Sequence, residues 1–458
     1  MILPKNKIYE IDINHIWHPF TQHQYWKNAD DVLVIEKGEG VELIDIEGRR
    51  YLDGVSSLWC NVHGHNHPKL VNAIKEQAEL LTHSTILGLS NKPIIELTEL
   101  LTEILPQELK RIFYCDSGSA AVEAALRIAI EYWQKDSTNK NKNKLLSLQT
   151  AYHGDTLGAV AVGYVKEFHR NLDSRLIPAL RIEPPHTYRF YEKLSSEEAE
   201  EKSLQQLNSI LEKEKGDIAA FIVEPLVQGA AGMWIHSAEY LKAAFELCKK
   251  HEVFFICDEV ATGFGKTGKM FAHQHAGIIP DMLIMAKGLS AGLLPISAVA
   301  VREHIFEKFL GNQEELKALY YGQTFAGNPL AARVATVNLE LFKTERIIEN
   351  IQEKIKFFHS ELEAKISILK HVDEIRKCGF MIGIELTKTE KKSDPFPSKD
   401  MVAQKIVKLA RSMGLIIRPL GNVMVLMPAL AMETNDLKKL VGITAEAIAA
   451  VTNGVSNA

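Results

Sequence analysis

Short apolar runs recur along the middle of the chain, and segments with helical spacing separate them. Arg111–Cys115 is such a run, and residues 219–223, 253–257 and 282–285 form others. After a turn at 116–119, apolar residues recur at helical intervals, at Val122, Ala125, Leu126, Ala129 and Trp133. Compact apolar runs are typical of strands buried on both faces. Strands that alternate with helices therefore predict an α/β fold with a largely parallel, doubly covered sheet.

The two ends of the chain follow different patterns. Residues 41–53 alternate apolar and polar side chains around Glu47 and Gly48, which predicts a hairpin. From about Asn328 onwards long helical patterns dominate, with a few strands expected, including 380–386 and 415–418. This change predicts a smaller C-terminal domain.

Composition restricts the class of protein. At 458 residues the chain exceeds what a single hydrophobic core usually covers, so two or more subdomains are expected. A formal net charge of −5 gives no electrostatic reason to expect nucleic acid or an anionic membrane as a partner. The N-terminus lacks the apolar core of a signal peptide, and no apolar run long enough for a membrane span follows it.

The five cysteines are widely spaced and form no C-x-x-C pair; they are Cys60, Cys115, Cys248, Cys257 and Cys378. Most have apolar neighbours, which favours buried free thiols in a reducing compartment. We therefore expect a cytoplasmic enzyme.

Three features lie where an open α/β sheet places its ligands, just beyond the carboxyl ends of strands. The turn at 116–119 joins a strand to a helix, and its Gly118 lets an anion approach the free helix N–H groups. Asp258 closes an apolar strand, where a carboxylate needs a partner: a protonated heterocyclic nitrogen, a metal, an arginine or a helix cap. Lys287 ends another such strand, and partial burial there would lower its pKa and make the amine a nucleophile.

Taken singly, each of these features also has an ordinary structural explanation. The turn could simply cap the helix, Asp258 could be an ion-paired acid, and Lys287 could be a surface lysine. Together, a phosphate cradle, an acid and an amine are the parts needed to hold pyridoxal 5'-phosphate. Lys287 would form the Schiff base and Asp258 would keep the pyridine nitrogen protonated, so that the ring acts as an electron sink.

Several longer motifs occur in order along the chain. They are HIWHPFTQ (15–22), NVHGHNHP (61–68), CDSGSAAVEAALRIA (115–129), AYHGDT (151–156), VEPLVQGAAGM (223–233), DEVATGFGKTGKMFA (258–272), AKGLSAG (286–292), TFAGNPLA (324–331) and RPLGNV (418–423). Over essentially the whole length the chain resembles the class III, fold-type I aminotransferases. The resemblance implies a large domain with a mostly parallel seven-stranded sheet and a smaller α+β C-terminal domain. Its implied divisions are an N-terminal segment (1–60), a cofactor-binding domain (61–327) and a small domain (328–458).

The resemblance also implies roles for individual residues. Catalysis and cofactor binding would involve Lys287, Asp258, Tyr152 against the cofactor ring, Gly118 and Ser119 on the phosphate, Gln323 in the phosphate loop, and Thr324 of a partner subunit reaching the same phosphate. Substrate binding would involve Phe20, Leu58, Trp59, Tyr152, Lys287, Gly322 and Arg418, with Arg418 on a carboxylate of the amino-group acceptor. Arg418 also suits an ordinary salt bridge. The family further implies a homodimer with shared active sites.

Within this class the chain is most similar to the branch that aminates 8-amino-7-oxononanoate to 7,8-diaminononanoate in biotin synthesis. Ala261 stands where ornithine and 4-aminobutyrate aminotransferases usually have glutamine, and the opening WHPFT is also typical of the branch. The alternatives are another class III activity, of the ω-amino acid:pyruvate type, and a non-catalytic protein with the same fold.

Departures from the branch concern the amino donor. Phe20 and Val425 stand where tyrosines are expected, Leu58 replaces one of a tryptophan pair, and Gln323 replaces a proline in the phosphate loop. The changes remove two hydroxyls and an aromatic face suited to a sulfonium nucleoside. S-Adenosylmethionine and lysine both stay open as donors.

Three further patterns have plainer interpretations. Residues 135–144 (KDSTNKNKNK) predict a solvated loop. GFGKTG (263–268) resembles the end of a P-loop but lacks its first glycine, since Val260 occupies that position. His63, His65 and His67 alternate, as metal ligands on one face of a strand do. Gly64 and Asn66 between them and Pro68 after them favour a loop instead, and no metal is expected.

Overall fold

The computed structural model describes residues 3–28, 32–136, 141–389 and 394–455. Helices in these ranges are α1 (Lys5–His15), α2 (Ser56–Trp59), α3 (Pro68–Leu80), α4 (Lys92–Ile104), α5 (Gly118–Lys135), α6 (Leu157–Val162), α7 (Lys166–His169), α8 (Ser196–Lys213), α9 (Ala238–Lys250), α10 (His273–Ala276), α11 (Glu303–Glu307), α12 (Pro329–Thr344), α13 (Ile347–Lys365), α14 (Val402–Ser412) and α15 (Thr434–Val455). Strands are β1 (Ile35–Glu39), β2 (Glu42–Asp45), β3 (Arg50–Asp53), β4 (Arg111–Cys115), β5 (Lys144–Leu148), β6 (Ala179–Ile182), β7 (Ile218–Val223), β8 (Val227–Gln228), β9 (Trp234–Ile235), β10 (Phe254–Asp258), β11 (Met282–Met285), β12 (Ser297–Val301), β13 (Val372–Cys378), β14 (Met381–Leu386), β15 (Leu415–Ile416), β16 (Arg418–Leu420) and β17 (Val423–Leu426).

The central sheet contains seven strands of the described chain, in the order β4-β12-β11-β10-β7-β5-β6. β12 runs antiparallel to both of its neighbours, and the other strands are parallel to one another. The prediction of a mostly parallel seven-stranded sheet is therefore confirmed.

Both faces of this sheet are covered, as the uninterrupted apolar runs predict. Within β10, Phe254 and Ile256 pack with α5 on one face, whereas Phe255 and Cys257 join the larger core on the other. Successive side chains of a strand point to opposite faces, so β10 carries only apolar side chains until Asp258 at its end. Chemistry is thereby confined to the strand ends, where the chain leaves the sheet.

Two smaller sheets lie outside the central one. β13-β14-β17-β16 is antiparallel, and β1-β2-β3 is completed by β15, which pairs with β3 in parallel. The hairpin predicted at residues 41–53 is confirmed as β2 and β3, with Gly48 at φ +82° in its turn. No helix in the described ranges is long and apolar enough to cross a membrane.

Two local predictions need correction. The strand expected at 415–418 is two short strands, because Ile417 separates β15 and β16, which belong to different sheets. The prediction of a solvated loop at 135–144 is wrong for the last residues of this range. Residues 137–140 lie outside the described ranges. Lys142 is buried: its amine lies 3.9 Å from the Trp133 ring centroid and donates a hydrogen bond to the Glu252 carbonyl at 2.5 Å.

Candidate active site

Lys287 lies just beyond the end of β11, where protein surrounds its amine. Its φ of +44° is left-handed, a conformation that non-glycine residues adopt mainly where the surroundings impose it. Burial lowers the pKa of the amine, while the nearby carboxylates of Asp258 and Glu224 act in the opposite direction. The amine lies 5.1 Å from the centroid of the Trp59 ring. The amine is therefore desolvated, as the sequence predicts for this position.

The turn after Lys287 is tightly held. Gly288 passes so close to Phe264 that an added Cβ would lie 2.7 Å from the Phe264 Cβ. The Asn338 side chain, from α12, donates hydrogen bonds to the carbonyls of Gly288 and Leu289, both at 2.9 Å. Asn338 in turn contacts His63 Nε2 at 2.8 Å. These contacts fix the backbone that carries Lys287.

The predicted loop around the three alternating histidines is confirmed, and two of them have partners within the protein. His63 pairs with Asn338, while His65 lies 3.0 Å from Asp53. Burial lowers the pKa of His63 to about 4, so the ring is neutral at physiological pH.

Asp258 ends β10, the strand next to β11, and is registered with Ile284 of that strand. One carboxylate oxygen lies 2.6 Å from His153 Nδ1, and the other accepts a hydrogen bond from the Val260 N–H at 3.0 Å. His153 Nε2 is buried and has no hydrogen-bond partner among the described residues. The adjacent strands thus bring Asp258 and Lys287 to one edge of the sheet.

Glu224 is a buried carboxylate to which the sequence analysis assigned no role. It follows β7, as Asp258 ends β10, so the same signal was present: an acid that closes an apolar strand. Its side chain accepts hydrogen bonds from the N–H groups of Tyr152 and Gly229, at 3.0 and 2.9 Å. Burial raises its pKa to about 7, against the opposing effect of His153.

The turn before α5 has the features of an anion site. Ser117 caps the helix by accepting a hydrogen bond from the Ala120 N–H at 3.2 Å. The Ser119 hydroxyl accepts one from the Asp155 N–H at 3.3 Å. A Cβ on Gly118 would lie 3.0 Å from Val260, which adjoins Asp258, so this turn lies near the acid.

Tyr152 belongs to a row of aromatic rings at the same edge. Its hydroxyl donates to Asp155 at 2.6 Å, and burial together with this carboxylate raises its pKa. The ring stacks with His169 at 6.3 Å. His169 contacts Phe168, which meets the exposed Phe20 edge-on at 5.2 Å. Phe20 is thereby linked to Tyr152.

Leu58 and Trp59 lie in the irregular segment α2, where Trp59 has a φ of +64°. Leu58 is exposed, whereas Trp59 packs beside Gly229 and Lys287. Arg418 lies at the start of β16, opposite Val425 of β17. Val425 is fully buried in the core. Arg418 is exposed and forms no ion pair with any residue of the described ranges, so the salt-bridge alternative finds no partner there.

The segment that carries Gly322, Gln323 and Thr324 is less enclosed. Thr324 and Gly322 are exposed, and an added Cβ on Gly322 would meet nothing within 4 Å. Gln323 contacts Tyr321, whose hydroxyl donates to the Ala120 carbonyl of α5 at 3.3 Å. Within a single chain, no contact among the described residues connects Thr324 with Lys287 or Asp258.

Comparison with known proteins identifies the family to which the chain belongs. A model of the class-III aminotransferases matches residues 25–448. The chain belongs to the class-III aminotransferases and is a transaminase, which sets aside a non-catalytic protein with this fold. A more particular likeness is to the adenosylmethionine-8-amino-7-oxononanoate aminotransferase of Aquifex aeolicus. The two are 44% identical over 94% of each chain.

Solved structures agree with this family. The crystal structure of adenosylmethionine-8-amino-7-oxononanoate aminotransferase from Methanocaldococcus jannaschii superposes with a TM-score of 0.91 at 38% identity, covering 97% of this chain and 99% of that one. A thermostable (S)-enantioselective ω-transaminase from Thermomicrobium roseum gives a TM-score of 0.93 at 32% identity, covering 98% and 100%. The fold alone therefore does not separate these two activities.

Proposed function

We propose that this transaminase moves an amino group onto the ketone of 8-amino-7-oxononanoate and so forms 7,8-diaminononanoate in biotin synthesis. The observation that carries the proposal is the 44% identity, along almost the whole chain, to a relative named for this acceptor. Ala261 and the WHPFT opening support it from the sequence.

Pyridoxal 5'-phosphate fits the residues at this edge of the sheet. Lys287 provides a desolvated amine, and Asp258 has carboxylate lone pairs free to accept from a protonated ring nitrogen. Gly118 and Ser119 at the start of α5 suit a phosphate. The unpartnered His153 Nε2 fits a buried site that a polar group completes. When bound, this cofactor supplies an electron sink for the substrate carbon next to nitrogen.

Individual residues of this chain would have separate roles around the cofactor. Lys287 would move a proton at the substrate carbon, since burial lowers the pKa of its amine and so favours the neutral, basic form. Asp258 would hold a proton at the ring nitrogen, with its carboxylate oriented by His153. Tyr152 would lie against the ring, and Trp59 would exclude water from the face of Lys287.

Arg418 is our candidate for the acceptor's carboxylate. An exposed guanidinium that has no carboxylate partner in the described chain is free to bind a carboxylate through two parallel hydrogen bonds. Leu58, Trp59, Phe20 and Gly322 would form the wall of the same pocket.

The donor is either S-adenosylmethionine or lysine. Phe20 presents an exposed ring without a hydroxyl, and Val425 is buried in the core, so neither supplies the phenol that a tyrosine would. Several relatives are named for adenosylmethionine, which favours that donor. The two observations point in opposite directions, and a direct assay decides between them.

We further propose a homodimer with shared sites. Large apolar side chains are exposed on two segments that contact each other; this apolar patch consists of Leu80, Leu87, Leu89, Ile95 and Phe325. Phe325 meets His83 at 5.2 Å between ring centroids, and Asn91 donates to the Gly327 carbonyl at 3.0 Å. Ile95 also lines a groove of about 550 Å³. Apolar exposure of this extent is typical of subunit interfaces, and Thr324 adjoins it.

A cytoplasmic location is proposed on the cysteines. All five are free thiols, and three of them are buried, as expected for a protein of a reducing compartment.

A half-reaction screen tests the proposed function. Holoenzyme is mixed separately with S-adenosylmethionine, lysine, ornithine and 4-aminobutyrate, and loss of the visible absorbance of the bound cofactor is followed. We expect one of the first two to bleach it, and 8-amino-7-oxononanoate to restore it.

Lys287→Ala should keep bound cofactor but turn over at least about 10⁴-fold more slowly, since it lacks both nucleophile and base.

Conversion by ornithine and 4-aminobutyrate alone would contradict the biotin-pathway assignment. The ω-amino acid:pyruvate activity is the second candidate, because the Thermomicrobium roseum ω-transaminase superposes as well as the Methanocaldococcus jannaschii enzyme. Restoration of absorbance by pyruvate, and not by 8-amino-7-oxononanoate, would favour it.

A further inference from the structure

Lys266, in the GFGKTG segment, is fully buried in the loop between β10 and α10. Its amine donates three hydrogen bonds, to the Ser56 hydroxyl at 3.1 Å, the Asn61 carbonyl at 3.2 Å and the Pro428 carbonyl at 3.1 Å. All three acceptors are uncharged. Burial of an ammonium group costs free energy unless each of its protons has a hydrogen-bond acceptor, and here each proton has one. The proposed reaction does not use this group.

The first two acceptors lie at the ends of one short segment, residues 56–61, which we name the 56–61 turn. Within it Ser56, Ser57 and Trp59 have left-handed φ angles of +45°, +62° and +64°. Each such residue raises the energy of the turn, and the conformation persists only where surrounding contacts fix it. Ser56 also donates to the Met427 carbonyl at 2.7 Å. Lys266 therefore bonds both ends of a strained turn and the neighbouring C-terminal segment.

The turn carries two of the residues predicted to bind substrate. The Trp59 ring lies 5.1 Å from the Lys287 amine, and a Cβ on Gly229 would approach that ring to 3.1 Å. Leu58 points outward and is half exposed. The shape of the turn thus sets the position of the wall next to the reactive amine.

Lys266 is itself fixed through its backbone. Its carbonyl accepts a hydrogen bond from the Phe380 N–H at 2.8 Å. Gly379, at φ +59°, passes so close that an added Cβ would lie 2.4 Å from the same carbonyl. A lysine held at its backbone by the β13–β14 turn can hold the 56–61 turn at its other end.

We propose that Lys266 is a positioning residue, whose ammonium holds the 56–61 turn in its strained shape and so places Trp59 beside Lys287 and Leu58 at the mouth of the pocket. The effect on substrate binding rests on the proposed function, whereas the effect on the turn does not.

Chymotrypsin provides a readout on the turn alone, because it cleaves after leucine and tryptophan. Holoenzyme and a Lys266→Met variant are digested under native conditions, and cleavage after Leu58 and Trp59 is followed by mass spectrometry. Methionine keeps the length of the side chain and removes its donors. We expect cleavage at the turn to accelerate about tenfold or more, since local opening governs proteolysis of a folded chain and charged hydrogen bonds oppose that opening.

Lys269→Met is the matched control. Lys269 lies in the same loop but is exposed, and its amine donates to the Gln274 carbonyl at 3.1 Å, away from the turn. Its loss should leave cleavage at Leu58 and Trp59 unchanged. Equal cleavage rates in the two methionine variants would overturn the proposal.

Kinetics then test the link to the pocket, with whichever acceptor the holoenzyme aminates. Lys266→Met should raise KM for that acceptor about tenfold and lower kcat less. In a Trp59→Ala background the same substitution should have little further effect, because the ring that Lys266 positions is absent. Additive effects on KM would contradict action through Trp59. Because proteolysis needs no substrate, it remains a valid test even if the proposed acceptor is wrong.

Should Lys266→Met fail to fold, Ser56→Ala takes its place. It removes one acceptor of the Lys266 amine and the bond to Met427, and leaves the charge in position. Faster cleavage at the turn, with an unchanged melting temperature, supports the proposal. Native cleavage rates in a folded Ser56→Ala protein overturn it.

Discussion

Asp258 and Glu224 are carboxylates that end neighbouring strands, yet different donors hold them. Asp258 has the ring nitrogen of His153 at 2.6 Å, whereas Glu224 accepts from two backbone N–H groups. Only Asp258 therefore depends on a side chain for its orientation. The pKa of Glu224, raised to about 7 by burial, makes this second acid partly protonated near neutral pH, so it adds less negative charge to the site than its position implies.

Loss of the His153 ring should weaken cofactor binding. In His153→Leu the buried Asp258 keeps only the Val260 N–H, and an incompletely paired carboxylate is a poorer partner for a ring nitrogen. We expect affinity for the cofactor to fall about 10- to 100-fold, as for supporting residues at metal sites. Equilibrium binding to apoenzyme measures this. His153→Asn, which retains an N–H donor, is the control and should recover most of the affinity; native affinity in His153→Leu would refute the role.

Sequence reasoning found Lys287 and Asp258 because each sits at the end of an apolar strand, a position visible in a single line of residues. Glu224 offered the same signal and was not used. Lys266 offered none, because its acceptors come from residues 56, 61 and 428, and only the fold brings these together.

At the scale of elements, the site depends on the turn that follows β11. Gly288 is required there by the close passage of Phe264, and Asn338 of α12 bonds the carbonyls of the same turn. The turn that positions Lys287 is thus supported from outside the sheet by helix α12, whose Asn338 lies 50 residues beyond Gly288.

Gly288→Ala should disturb this turn. The added methyl would lie 2.7 Å from the Phe264 Cβ, so one of the two must move, and overpacking of this kind costs about 1–3 kcal/mol. We expect a lower melting temperature and slower turnover. Gly442→Ala is the control: nothing lies within 4 Å of its added Cβ in helix α15, and it should stabilise the protein by about 0.5–1 kcal/mol. A Gly288→Ala protein as stable as the Gly442→Ala protein would contradict the packing argument.

Elements themselves were predicted well where the apolar pattern was continuous. β10, β11 and the hairpin of β2 and β3 agree with their predictions to within about a residue. The failures have tertiary causes. Ile417 breaks the run at 415–418 because the chain passes from one sheet to another, and Lys142 is buried because Trp133 and the Glu252 carbonyl receive it. The domain boundaries at residues 60 and 327 stay a prediction.

At the scale of the whole molecule, buried neutral histidines make stability depend on pH. Burial lowers the pKa of His63 to about 4 and that of His186 to about 2, from 6.5. Below pH 6.5 the unfolded chain therefore binds protons that the folded protein does not. The unfolding free energy should fall with decreasing pH, by about 1.4 kcal/mol per pH unit for each such group, until the folded pKa is reached.

His186→Phe tests this dependence. His186 stacks on Trp234 at 4.6 Å, and its Nε2 has no partner in the described chain, so phenylalanine keeps the stacking and removes the titration. Melting temperatures from pH 8 to pH 5 should fall less steeply for the variant than for the native protein. Parallel curves would mean that His186 titrates normally.

The proposed dimer makes a further prediction. Ile95→Glu places a charge in the apolar patch and should give a monomer of low activity, measured by light scattering and turnover. Ile368→Glu alters an isoleucine outside the patch that is even more exposed, and this variant should stay dimeric. Mixing Lys287→Ala subunits with Thr324→Asp subunits should restore activity that neither has alone, since one site of each hybrid is intact. A fully active Ile95→Glu monomer would refute shared sites.

Strand β3 pairs with β15, and Ser56 bonds to the Met427 carbonyl 371 positions further along the chain. A ribosome therefore completes the first strands of this sheet long before it makes the residues that hold them. The central sheet can form on the nascent chain, but the turn beside Lys287 reaches its strained shape only after the C-terminal segment has emerged. Premature termination between residues 288 and 427 should thus yield a chain that carries Lys287 and Asp258 yet lacks a finished pocket around them.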